Sequence, residues 1–186
     1  MSLILPYRNH SPIIPPDAFV AQNATVIGDV ELGSRANLWF GVIVRGDVNR
    51  IRIGARTNVQ DGTMIHCTGM GGDWPTLIGD DVTIGHMVVL HGCTLEDKCM
   101  IGIKAVVLDG SVVESGAMVA AGALVTPGKR VKKGELWGGS PARKLRDLGP
   151  EDLALIERLP GRYAALGEEY RQQMQRGIPA DIDRNA

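Results

Sequence analysis

The chain has 186 residues, a formal net charge of −1, and is 44% hydrophobic but only 4% aromatic. That length suits one domain with an appendage, and a charge so near zero excludes a general attraction to nucleic acid or to a membrane surface. No apolar run approaches the roughly 18 residues that a membrane-spanning helix needs. The start, MSLILPYRNH, has no basic segment and no long apolar core, so it is not expected to be a signal peptide. Residues 1–17 form a proline-rich lead-in, with Pro6, Pro12, Pro15 and Pro16.

A repeat then begins. Val20, Val26, Leu32, Leu38 and Val44 follow one another at intervals of six. After a slip of three come Ile53, Val59 and Ile65; after an insertion come Ile78, Ile84 and Leu90. One residue is dropped, and Leu95, Ile101, Val107, Val113, Val119, Val125, Val131 and Trp137 resume the interval of six. A helix does not repeat in six, and a plain strand would show more apolar positions. A sustained six-residue period with glycine nearby reads as a β-solenoid. The repeat resembles the left-handed parallel β-helix of the hexapeptide-repeat proteins, in which three hexapeptides make one triangular coil. The scarcity of aromatics and the 24 glycines fit narrow coils with tight corners.

The expected fold is therefore mainly β: a left-handed parallel β-helix over 18–140, followed at 141–186 by a linker, a helical segment and a frayed tail. Pro150, Glu151 and Asp152 make a good helix start, and Pro160 is expected to kink or divide the helix. Leu153, Ile156, Leu159, Tyr163 and Leu166 form its apolar side, suited to packing on the outside of the prism. Beyond Arg176 the sequence GIPADIDRNA reads as the frayed tail.

Three of the four histidines, His66, His86 and His91, fall between Asn58 and Cys93. Let faces A, B and C be those carrying Ile53, Val59 and Ile65. With the insertion placed at a corner, Ile65 and Leu90 stack on face C, and His66 and His91 project outward one coil apart, by about 4.8 Å. That is close enough to share a metal ion. His86 belongs to another face or corner, on the order of 10–15 Å away by strand rise, so a neighbouring copy of the chain must supply it. A lone histidine is more often a surface residue; two stacked ones with a third close by favour a metal centre. Three neutral imidazoles with one position open to water are a common zinc set. The metal would make hydroxide available near neutral pH. Cys67, Cys93 and Cys99 show no CxxC spacing and read as reduced, buried thiols of a cytoplasmic protein. His10 lies outside the pattern.

RGD at 45–47, NVQDG at 58–62, IGH at 84–86 and LHGC at 90–93 resemble the γ-class carbonic anhydrases and their bacterial relatives. The resemblance implies a homotrimer that hydrates CO2 to bicarbonate at its subunit interfaces. It implies Zn2+, with Fe2+ or Co2+ as alternatives, held by His66 and His91 of one subunit and His86 of the next. By the same resemblance, Gln60 hydrogen-bonds the metal-bound solvent or the substrate, and Tyr163 approaches the site from the tail. Arg45, Asp47 and Asp61 form an ionic network across the interface. Two departures stand out: Val48 occupies a position that is acidic in the family, and the loop after His66 carries only Asp73 where a glutamate relays protons. Three other readings fit the repeat: a hexapeptide acyltransferase, a metal-dependent thioesterase, and a non-catalytic trimeric metal-binding scaffold.

Overall fold

The computed structural model describes residues 2–69 and 72–176. The six-residue period sets its architecture, a parallel β-helix of triangular cross-section, because each inward aliphatic can be buried only by the coil above and the coil below. On face A, Leu32, Ile53, Ile78, Leu95, Val113 and Val131 stand in parallel register. Face B stacks Val20, Leu38, Val59, Ile84, Ile101, Val119 and Trp137. Face C stacks Ile4, Val26, Val44, Ile65, Leu90, Val107 and Val125. Every inward position that the spacing identifies is thus on one of three ladders. Most are fully buried. Val20 and Trp137, at the two ends of face B, are part-buried.

Corners would strand polar groups, and threonines satisfy them. Thr57 Oγ1 donates to Gly79 O at 2.7 Å and Thr63 Oγ1 to Gly85 O at 3.0 Å. Each hydroxyl also accepts a backbone N–H from the next coil. Among the described residues no buried side-chain nitrogen or oxygen lacks a partner.

Three features differ from the sequence reading. The lead-in contributes to the prism: Leu3–Leu5 pairs with Thr25–Ile27 as a first rung of face C, and Ile13 bridges to Glu31. The segment read as a linker begins with a strand, Ala142–Asp147, which turns back antiparallel on Glu135–Gly139. It ends the parallel ladder of face B, and no repeat announces it. The helix runs unbroken from Pro150 to Arg176 with Pro160 inside it. Pro160 removes one backbone hydrogen bond, but Ile156, Pro160, Ala164 and Gly167 are all buried, so packing on face B keeps the helix continuous across it. Leu153, expected on the packed side, is instead exposed. The expected frayed tail beyond Arg176 lies outside the described residues.

The helix start has its own lock. Asp152 reaches back to accept the Gly149 N–H at 2.8 Å and is gripped by Arg146, in the manner of a capping box. These bonds pull the Asp152 carboxyl down to about 2.

The three outer surfaces are unlike. Face B is covered by the helix, which lies along its lower strands. Phe19, Trp39, Phe40, Tyr163 and Tyr170 meet there, with Trp39 centred 5.1 Å from Phe19, 5.7 Å from Tyr163 and 5.3 Å from Tyr170. Face A carries a mixed outer column of Arg52, Leu77, Thr94, Val112 and Arg130. Face C carries an aliphatic one: Ile43, Met64, Val89, Val106 and Leu124. None of these five is buried, and Val89 at their centre is 36% exposed.

Candidate metal centre

His66 and His91 end the strands Met64–His66 and Val89–His91 and are paired in register. They project from face C beside its aliphatic column. His66 Nδ1 and His91 Nε2 lie 3.2 Å apart. Behind each ring stands an aspartate: His66 Nε2 is 2.9 Å from Asp47 Oδ1, and His91 Nδ1 is 2.6 Å from Asp109 Oδ1. Thr68 Oγ1 donates to the same Asp109 oxygen at 3.1 Å.

The aspartates decide the tautomers. Burial pushes the Asp47 carboxyl up, but bonds from His66 and Arg45 outweigh it and hold the group below the usual carboxylate range. An ionised carboxylate takes the ring N–H, which puts the proton of His66 on Nε2 and that of His91 on Nδ1. The lone pairs left over, on His66 Nδ1 and His91 Nε2, face each other. With the ring N–H groups turned to the aspartates, two nitrogens facing each other across 3.2 Å are placed to share a metal ion. Two bonds of about 2.0–2.1 Å meeting at a tetrahedral metal span about 3.3 Å. The pair fits that chord, and the carboxylates behind it are the usual outer partners of ligating histidines.

Glycine makes the position of Asp47 possible. A Cβ on Gly46 would lie 2.6 Å from Asp29 O and one on Gly28 2.3 Å from Gly46 O. Only bare backbone lets these two strands pass so closely, and Arg45 and Asp47 flank the crossing. In the chain itself Arg45 Nη1 donates to Asp47 Oδ2.

His86 stands apart from this pair, at the corner after Thr83–Ile84 on face B. Its Nδ1 is 2.9 Å from Asp61 Oδ2, so it too has a carboxylate behind one ring nitrogen. Residue Gln60 belongs to this corner and not to the His66–His91 pair: it is almost fully buried, and its amide donates to Asn58 Oδ1 at 3.1 Å. Met87 and Ile103, exposed beside the corner, add an apolar margin. Tyr163 packs its ring on Trp39 within the aromatic layer of the helix. Among the described residues no three His, Cys, Asp or Glu side chains converge to hold a metal within one chain. The described residues thus form two separate clusters, His66 with His91 and His86 with Asp61.

The thiols take no part. Cys67, Cys93 and Cys99 are buried and unbridged. Burial pushes all three upward, Cys93 to about 12, so all three are neutral thiols at neutral pH in the metal-free chain. Asp73 is also occupied, since Asn49 Nδ2 donates to it at 2.7 Å. Asp109 was not among the residues that the sequence singled out. Its only signal is its place two residues after inward Val107, one coil beyond His91.

The chain resembles proteins of known name over most of its length. It is 48% identical over 163 residues to a mitochondrial γ carbonic anhydrase 1 of Arabidopsis thaliana, covering 86% of this chain and 59% of that one. A carbonic anhydrase of Geobacillus kaustophilus is 39% identical over 180 residues, covering 96% and 97% of the two chains. A solved structure of a hexapeptide transferase family protein from Anaplasma phagocytophilum superposes with a TM-score of 0.86 at 43% identity, covering 90% and 98%. The chain spans about three fifths of the length of the plant relatives it matches. No family model matches it. The chain belongs to the hexapeptide-repeat β-helix proteins. Within them it belongs to the γ carbonic anhydrase family.

Proposed function

We propose that the protein is a γ-class carbonic anhydrase, a lyase that hydrates CO2 to bicarbonate at the interfaces of a homotrimer. The observation that carries this reading is the pair of aspartate-backed histidines whose free lone pairs face each other at 3.2 Å. His66 and His91 of one subunit and His86 of the next would hold the ion. Zn2+ suits three neutral imidazoles, and Fe2+ or Co2+ are accepted by the same donors. When bound, the metal supplies hydroxide at neutral pH.

The chain's own groups do the rest. Asp47, Asp109 and Asp61 hold the three rings in the ligating tautomer. Gln60, on the His86 corner, offers an amide that donates and accepts without titrating, suited to orienting solvent and to meeting charge on a substrate oxygen. Tyr163 would line the same side from the helix. Arg45, 41% exposed and already holding Asp47, has donors to spare for a carboxylate of the neighbour. The bare aliphatic column of face C supports the trimer. It gives the neighbour an apolar surface directly beside the histidine pair. Three free buried thiols support a reducing compartment, here the cytoplasm. No described helix is long and apolar enough to cross a membrane.

With Val48 apolar and Asp73 tied to Asn49, export of the product proton should limit turnover. The test is metal content together with stopped-flow CO2 hydration. The wild type should carry one ion per chain and hydrate CO2 faster as imidazole buffer is added. Gln60→Ala should keep metal and trimer and lose about 10²–10³ in kcat. Stoichiometric metal without hydration in any buffer or redox state would reject the lyase. A metal-dependent thioesterase or a non-catalytic trimeric metal-binding scaffold would then be the next reading, since both keep a use for three aspartate-backed histidines.

A further inference from the structure

The lower end of the prism is unfinished. Leu3–Leu5 is the first rung of face C and pairs on one side with Thr25–Ile27. Among the described residues nothing pairs with its other edge. Leu3 N–H donates inward to Ala24 O at 2.9 Å. Successive residues of a strand alternate, so the N–H and C=O of Ile4 point the opposite way, out of the end of the prism. The three side chains are apolar and remain 50%, 44% and 40% exposed. An open apolar edge is a template for another strand. The usual protections, a lysine, another charge or a bulge, are missing from this triplet. Pro6, which has no N–H, marks where pairing must stop.

The sequence of the rung identifies its occupant. Leu-Ile-Leu reads the same in both directions. Laid antiparallel against its own copy, it sets Leu3 opposite Leu5 and Ile4 opposite Ile4. The outward N–H and C=O of Ile4 are then exchanged both ways, which is the hydrogen-bonded pair of an antiparallel ladder. A groove of about 330 Å³ lined by Ile4, Ile14, Pro16, Phe19 and Met174 opens beside the strand. Apart from Arg171 its lining is apolar, and it lies on the side of the sheet to which this pairing brings the copy's Ile4; Ile13, one residue from the groove, is 62% exposed.

We propose that a second copy of this chain docks on the Leu3–Leu5 edge through a two-fold axis. The symmetry is closed. The axis runs normal to face C and therefore perpendicular to the prism. A three-fold axis parallel to the prisms, as in the trimer above, is perpendicular to such two-folds, and the assembly closes where the axes intersect. Together they give six chains in two rings joined end to end.

Sedimentation velocity of the full chain separates the two associations, because each leaves its own factor in the particle mass. The expected result is six chains for the wild type and three for the double variant Leu3→Lys, Leu5→Lys, with circular dichroism unchanged. If the trimer reading fails but edge pairing holds, the wild type runs as two chains and the variant as one. A wild type of three chains or one overturns the proposal, as does a variant of wild-type mass. A wild type of three chains that becomes six when the chain is cut after Arg176 also overturns it, and assigns the edge to residues 177–186.

Discussion

Faces B and C are built from the same repeat yet are finished in different ways. Face B is closed within the chain: the helix lays Tyr163 and Tyr170 on Trp39 and leaves that indole 5% exposed. Face C has an aliphatic outer column, Ile43, Met64, Val89, Val106 and Leu124, and nothing among the described residues covers it. The difference shows how a solenoid divides its surfaces. The inward residues are interchangeable along the stack, so function is assigned by what stands on the outside. Aromatics on face B recruit the helix. Aliphatics on face C stand beside the histidine pair, where a neighbour can deliver a third ligand.

That contrast can be broken from either side. The largest effect is expected from Val89→Glu, which puts a charge at the centre of the bare column. It should dissociate the trimer and, by separating His86 from the other two histidines, abolish metal retention and hydration together. Light scattering and metal analysis check both. A Val89→Glu protein that stays trimeric would mean that face C is not the interface. Trp39→Ala strikes the covered face. It removes the ring on which four others pack and should cost about 3–5 kcal/mol of stability in a denaturant melt. The folded fraction should still bind metal and assemble, since face C is untouched. The smallest effect is expected from Asp109→Asn, at the edge of face C. The trimer should remain, while metal affinity falls about 10–100-fold because the His91 ring N–H exchanges a carboxylate for a neutral, weaker amide acceptor. A competitive chelator titration measures this. An unchanged affinity would make Asp109 a surface residue and no part of the centre.

The ladders were legible in the sequence because one aliphatic every six residues has one physical use. The stacking of His66 on His91 followed from the same count once the insertion was placed at a corner. What escaped was whatever depends on side chains meeting across coils. Asp109 is 18 residues from His91, and the dropped residue between Leu90 and Leu95 obscures that it comes to lie over it. Asp47 and Asp61 were marked by family resemblance, but their contacts with His66 and His86 are visible only in three dimensions. The antiparallel strand Ala142–Asp147 lies beyond the repeat, so periodicity was silent about it. Pro160 also failed to divide the helix. A local penalty is overruled when the whole length of a helix is seated on a face.

The loop that leaves the prism after His66 folds Trp74 back over the residues that directly follow His91 and Asp109. A Cβ on Gly92 would meet the Trp74 Cβ at 2.9 Å, and one on Gly110 would strike its ring at 3.1 Å. Trp39 is buried and Trp137 is part-buried, whereas Trp74 is 47% exposed. The most exposed of the three indoles thus lies over the backbone beside His91 and Asp109, where its fluorescence would report metal binding at the histidine pair without any label.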